Sequence, residues 1–242
     1  MLDYGTMLIL SASAGFLGTG LGGLIAILLP RLSSRAISRI LHITSGLMIS
    51  IVCFELLPEA ILLHQLTAIV SLLAGILFML VSDMLLTRYE RHRGGNSLLR
   101  SGLLIGIGIA LHNFPEGLAV GAGYADAPVF GLALCLAIVL HDVPEGLAMA
   151  LPLREGGMKL YRVLLAALFS GLPTLVGAFV GLYAGGFGHQ ALSACLGLAG
   201  GAMLQITCAS LLPEAQKKGT GRLETLLLSL GIVSGCLLAL WL

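Results

Sequence analysis

Long apolar runs broken by short polar patches set the pattern of this chain. Runs of spanning length fall at about 4–29, 37–63, 66–87, 98–124, 128–153, 160–183, 190–212 and 223–242. Each reaches the length of a membrane-crossing helix, about 20 residues. The pattern therefore predicts eight transmembrane helices with short loops, forming one all-α integral membrane domain over residues 1–242.

Composition agrees with that reading. Hydrophobic residues make up 57% of the chain and charged residues 10%, with a mean hydropathy of +1.02, whereas a soluble domain carries about 25% charged residues. The net charge of +1 excludes a strongly basic nucleic-acid binder. The basic residues set the orientation. Arg31, Arg35 and Arg39 follow the first run, and Arg88, Arg91, Arg93 and Arg100 follow the third. Arg154, Lys159 and Arg162 follow the fifth, and Lys217, Lys218 and Arg222 follow the seventh. Every Lys and Arg thus falls on one side, which the positive-inside rule assigns to the cytoplasm, leaving both termini extracytoplasmic. The five cysteines lie in apolar runs without CxxC spacing, so they read as small buried residues rather than a disulfide framework. The start, Met1-Leu2-Asp3, lacks the basic n-region of a cleaved signal peptide.

An internal repeat follows. SGLMISIVCFELLPEA at Ser45–Ala60 returns as GGAMLQITCASLLPEA at Gly200–Ala215. The first copy lies on an outward-running segment and the second on an inward-running one, which predicts a 3+2+3 arrangement with inverted halves. Inverted repeats are an architecture of alternating-access transporters, with the site near mid-membrane.

The two central segments carry the chemistry. His112-Asn113-Phe114-Pro115-Glu116-Gly117 returns as His141-Asp142-Val143-Pro144-Glu145-Gly146. Both histidines fall about thirteen or fourteen residues into their helices, near mid-depth at about 1.5 Å rise per residue. Residues four apart share a helix face, so His112 with Glu116 and His141 with Glu145 can each clasp an ion. Asn113 and Asp142 lie about 100° round. Pro115 and Pro144 free the carbonyls of Leu111 and Leu140 and kink their helices. Hydrogen-bonded polar residues on a kinked helix explain one such motif as well as a metal does. Two inverted copies at mid-depth favour a site, because intramembrane carboxylates are rare without a role. The mixed nitrogen and oxygen set suits Zn²⁺, Fe²⁺ or Mn²⁺ rather than Cu⁺. One ion, or two sharing the glutamates, both fit. Protonating His112 and His141 competes with metal, so binding weakens in acid.

The paired H-(N/D)-x-P-E-G motifs, the eight runs and the outward termini resemble the ZIP (Zrt/Irt-like) family of divalent metal transporters over essentially the whole chain. The resemblance implies import of zinc, with iron, manganese or cadmium as further substrates, through the plasma membrane into the cytoplasm. It implies a first site at His112, Glu116, His141 and Glu145, and a second that shares the glutamates and adds Asn113 and Asp142. It also implies a helix-two methionine near the first site, here Met48. Two departures stand out. Thr174, in Ser170-Gly171-Leu172-Pro173-Thr174-Leu175, occupies the place of a family glutamate, and a neutral hydroxyl is a weaker ligand. Ala209-Ser210 replaces a His-Glu pair, while a carboxylate stands at Glu55 instead. Glu59 and Glu214, near the outer and inner ends of their segments, are either relay carboxylates or helix-end residues snorkelling to the interface.

The expectation is thus a transporter and not an enzyme. The metal is substrate and no cofactor is needed; the partners are divalent ions and the lipid bilayer, with a homodimer left open and no nucleic acid. The rivals are an intramembrane metal-dependent enzyme, disfavoured by the lack of an HExxH motif, and an efflux carrier with the same ligands.

Overall fold

The computed structural model describes residues 4–29, 32–90, 97–185 and 187–241. Arg31, Arg91, His92 and Arg93 lie outside the described residues. Every regular element among the described residues is helical: α1 (Tyr4–Leu28), α2 (Ser34–Ile51), α3 (Leu57–Glu90), α4 (Ser97–Asp126), α5 (Pro128–Glu155), α6 (Leu160–Ser170), α7 (Leu172–Gly185), α8 (His189–Ile206), α9 (Leu212–Lys218) and α10 (Arg222–Trp241). Two π turns, Val52–Leu56 and Thr207–Leu211, join α2 to α3 and α8 to α9.

The helices follow the apolar runs, and their ends have local causes. α2 starts at Ser34 because the Ser33 hydroxyl accepts from Ala36 N at 3.2 Å, satisfying one of the free donors at a helix start. The expected gap between 63 and 66 shrinks to one residue, His64, at φ −164° and ψ 99°. Its Nδ1 accepts from Thr67 N at 3.3 Å, which caps the helix that follows. The run expected over 160–183 is broken at Gly171. Pro173 has no N–H to give, and Thr174 N bonds Gly171 O at 3.2 Å instead of reaching back four residues. The run expected over 190–212 continues through its π turn to Lys218. α4 and α5 run unbroken through Pro115 and Pro144.

Five helical stretches are long and apolar enough to cross a membrane among the described residues. They are Ser34–Leu85, Leu98–Ala125, Val129–Glu155, Leu160–Ala184 and His189–Lys218. The surface confirms the medium. Leu62, Leu66, Leu77, Phe169, Phe179 and Tyr183 are exposed, while His112, Asn113, Glu116, His141, Asp142 and Glu145 are buried. Apolar outside and ionisable inside is the inverse of a water-soluble protein, and it suits a solvent of lipid tails.

Packing comes in matched sets. α1 lies on α5 as α7 lies on α4, and α2 lies on α10 as α8 lies on α3, with α4 against α5 at the centre. Glycines let these backbones touch, which is how helices associate in a medium that supplies little hydrophobic drive. A Cβ at Gly117 meets the Thr174 carbonyl and lies 2.8 Å from Ala178 N. A Cβ at Gly146 meets the Thr19 carbonyl and lies 2.8 Å from Thr19 Cα. Thr19 and Thr174 stand apart by the same offset as the two LLPEA copies, and so do the two π turns.

Arg154 and Arg39 tie helix ends together. The Arg154 guanidinium donates to Ala26 O at 2.6 Å and Leu29 O at 2.9 Å, capping the end of α1. Ser38 Oγ donates to Ala215 O and Gly219 O, both at 2.9 Å, and Arg39 pairs with Glu224 at 3.5 Å.

Because backbone faces these glycines, Gly117→Ala and Gly146→Ala should each cost about 1–3 kcal/mol of stability, as overpacking does. The same change at Gly200, where a Cβ stays 3.5 Å or more from its neighbours, should be tolerated. Thermal melts of the three variants in one detergent check this: a clear drop in Tm for the first two and little change for the third.

Candidate metal centre

The central site is built on α4 and α5, which pack against each other. α4 supplies His112, Asn113 and Glu116, and α5 supplies His141, Asp142 and Glu145, all less than 4% exposed. The closest contacts cross between helices. His112 Nε2 lies 2.8 Å from Glu145 Oε2, and His141 Nε2 lies 3.2 Å from Glu116 Oε1. The within-helix pair expected from four-residue spacing is looser, with His112 Nε2 3.8 Å from Glu116 Oε1. Side chains four apart do share a face, but that face is turned to the partner helix, so each histidine reaches across.

The tautomer of one histidine is set by its own helix. His112 Nδ1 donates to Gly108 O at 3.0 Å, which aims Nε2 at the carboxylates. A main-chain acceptor on the far nitrogen is the usual way a metal-binding imidazole is oriented. Around tetrahedral zinc, with ligand distances of about 2.0–2.1 Å, neighbouring donors sit about 3.3 Å apart. The spacing of His141 Nε2 and Glu116 Oε1 already matches that, and His112 with Glu145 is drawn together more tightly.

Several buried oxygens on α4, α5 and α7 lack a hydrogen-bond partner. Glu116, His141 and Asp142 each offer a donor atom within 4.8 Å of the others. Both Asp142 oxygens, Glu116 Oε2, Asn113 Oδ1 and the Thr174 hydroxyl are buried without hydrogen-bond partners. Buried polar atoms are normally satisfied, so such a cluster asks for a cation. The other end of the Asn113 amide is held. Its Nδ2 donates to Ser170 O at 2.9 Å, the carbonyl left free by the break at Gly171. The altered sequence around Pro173 therefore orients Asn113, a link that spacing alone does not reveal.

The His112–Glu145 pair opens to one side. A cavity of about 180 Å³ is lined by His112 and Glu145, by Gln205 and Ser210, and by Asp83 and Glu214. On the other face, Glu116 and His141 line a pocket of only about 10 Å³, walled by Ile51, Val120, Ile138 and Met203. Asp83, Gln205 and Met203 were not singled out from sequence as site residues. Asp83 had a signal, as a lone carboxylate within an apolar run.

The remaining sequence candidates are spread out. Thr174 is fully buried beside the cluster's glycine contacts. Met48 is buried in the core, where its sulfur accepts from Thr207 Oγ1 at 3.5 Å. Glu55 is buried, with both oxygens unpartnered. Glu59 is half-buried. Glu214 lines the wide cavity and pairs with Lys218 at 3.2 Å and Lys217 at 3.7 Å.

A helical multi-pass membrane bundle with a buried histidine–carboxylate centre defines the class: a membrane protein that handles metal cations. A family model described as ZIP Zinc transporter matches residues 87–242. The chain is 32% identical to the zinc transporter ZupT of Akkermansia muciniphila over 98% of its own length and 96% of that protein. It is 34% identical to ZupT of Corynebacterium glutamicum, covering 84% and 86% of the two chains. It is 37% identical to the zinc transporter GufA of Myxococcus xanthus, covering 70% and 66%. The chain belongs to the ZIP zinc transporter family. Transport of divalent metal ions, rather than catalysis, is the activity that goes with this membership.

Removing the Asn113 amide leaves Ser170 O buried and unbonded, so Asn113→Ala should cost about 1–3 kcal/mol. A melt of the metal-free protein in detergent checks it, and a Tm equal to wild type would mean that the Ser170 contact contributes nothing.

Proposed function

We propose that this chain imports zinc across the plasma membrane, binding it at mid-membrane between α4 and α5 and releasing it to the cytoplasm. The ligands are His112, Glu116, His141 and Glu145, with Asn113, Asp142 and Thr174 forming an oxygen-rich neighbour site. The observation that carries this is the one-sided opening. The buried donors face a cavity of about 180 Å³ that reaches Glu214 at the basic end of the bundle, and a pocket of about 10 Å³ on the other face. With the basic end in the cytoplasm, the arrangement is an inward-open carrier with its outer gate shut.

The topology proposed is eight crossings in a 3+2+3 order, with both termini outside and residues 1–242 acting as one domain. Three features support it. Ser34–Leu85 is 52 residues long and broken at His64, enough for two crossings. α6 and α7 join into one apolar stretch, Leu160–Ala184. The exchange of α1 with α6–α7, and of the α2 and α8 segments, maps each set of helix contacts onto the other. Halves related in this way are what alternating access needs, since each can adopt the packing of its mate.

Thr174 sharpens the neighbour site. A hydroxyl contributes no charge, so an ion there relies on Asp142 and Glu116 for its negative partners. The neighbour site should therefore hold an ion more loosely than the site with both imidazoles.

Uptake of ⁶⁵Zn into proteoliposomes tests the function directly. Wild-type protein should give saturable uptake, and His141→Ala should abolish it while lowering zinc affinity by more than the about 10–100-fold lost when only a ligand's hydrogen-bonding partner is removed. Saturable binding without any flux in the wild type would overturn transport. Thr174→Val, nearly isosteric, removes a buried unpartnered hydroxyl and should raise the metal-free Tm slightly. If the hydroxyl is a ligand, the weaker of two zinc-binding phases should vanish from calorimetric titrations. Two phases unchanged in Thr174→Val would remove Thr174 from the site.

A further inference from the structure

The wide inner cavity and the tight outer pocket are the same structure seen twice. Ile109 on the wide side corresponds to Ile138 on the tight side, Ile206 to Ile51, and Glu145 to Glu116, each pair related by the motif repeat or the LLPEA repeat. One copy is open and the other collapsed. The wall of the open copy includes Ser210, the fourth residue of the π turn Thr207–Leu211, and Glu214 one helical turn on. Their counterparts are Glu55, the fourth residue of the π turn Val52–Leu56, and Glu59.

Glu55 is the residue that the present arrangement leaves unexplained. It is 8% exposed, lies in an apolar segment, and neither carboxylate oxygen has a partner. An unpaired intramembrane carboxylate is costly and marks a pathway or relay by default. π turns likewise recur at functional positions, because they redirect side chains without ending the helix. The cost is accounted for if Glu55 has a second, hydrated setting.

We propose that Glu55 is the carboxylate of an outer vestibule that is shut in this structure, and that it receives a divalent cation from outside before the ion reaches Glu116 and His141. In the outward-open state Glu55 stands where Ser210 stands now, on the wall of a water-filled cavity one step from the central donors. The two vestibules then differ in chemistry. At the π turn the entry side carries a carboxylate, which gathers dilute cations next to the central donors, whereas the exit side carries the Ser210 hydroxyl there and has its carboxylates, Asp83 and Glu214, elsewhere on the wall. Glu55 acts as a capture residue and not as a member of the central ligand set. The inference rests on the import reading above.

The test uses whole cells of a zinc-uptake-deficient bacterium expressing the protein. Glu55→Gln keeps the shape and removes the charge. It should raise the KM for external zinc several-fold with little change in maximal uptake, because it weakens capture and leaves the later steps alone. Zinc affinity of the purified variant at the central site should stay at the wild-type value. A second variant, Glu55→Cys with the five native cysteines replaced, should react with a membrane-impermeant thiol reagent added outside, and zinc should slow that reaction. An unchanged KM in Glu55→Gln, or no thiol labelling while uptake persists, would overturn the proposal with transport intact. A loss of central-site affinity in Glu55→Gln would also overturn it, by making Glu55 part of the central centre. If the Cys variant fails to reach the membrane, the KM of Glu55→Gln decides. Failure of transport itself would show separately, as wild-type cells that gain no zinc.

Discussion

Five ionisable side chains, His112, Glu116, His141, Asp142 and Glu145, sit in the middle of a bundle whose outside is apolar, and four of them are tied in pairs. His112 reaches Glu145 at 2.8 Å and His141 lies 3.2 Å from Glu116, so the charges are tied in crossed pairs between α4 and α5. Burying an ion singly costs several kcal/mol, and partners with good geometry offset this. The crossed pairs fix the distance and register of the two central helices. That register in turn decides where the outer helices can lie. α7 meets α4 at Gly117 and α1 meets α5 at Gly146, each one residue past a motif glutamate. The glycines that bring the supporting helices into contact therefore stand beside the residues whose positions they hold.

Much of this was legible beforehand, and the reasons are specific. The apolar runs report helices because lipid demands both length and hydrophobicity, and most boundaries fell within a few residues. The motif residues were legible because an ionisable group in such a run is conspicuous. The crossed pairing was not, since four-residue spacing says which residues share a face and nothing about what that face meets. The break at Gly171 had its signal in Pro173, yet the run reads as continuous because Leu160–Ala184 is apolar on both sides of it. The π turns left no trace in hydropathy. They show only through the paired LLPEA copies, which end in Pro58 and Pro213 just beyond each turn.

The repeat also accounts for what looks like surplus polarity. Thr19 and Thr174 are both fully buried, at equivalent places in α1 and α7. Thr19 spends its hydroxyl on Gly15 O at 2.8 Å within its own helix, whereas Thr174 has no partner. The break at Gly171 is the difference. In an unbroken helix a threonine can bond the carbonyl four residues back, but at 174 that carbonyl, Ser170 O, is taken by Asn113. One proline thus leaves a hydroxyl free and orients an amide. Symmetry supplies the frame, and a local departure from it sets the bonding of these two side chains.

One of the two crossed pairs is tighter than a zinc ion's ligands would be. Donors around tetrahedral zinc sit about 3.3 Å apart, and His112 Nε2 is closer than that to Glu145 Oε2. In the proposed import cycle, an ion seated between them would push the two apart and take over the contact that held them. The contact replaced is one of those tying α4 to α5, so loading the site changes the interaction on which the central pair depends. A cation neutralises the glutamates as it separates them from the histidines, so the loaded pair keeps its charge balance while its geometry opens. Binding energy is then available to shift the surrounding helices because the ligand contacts differ between the loaded and empty arrangements.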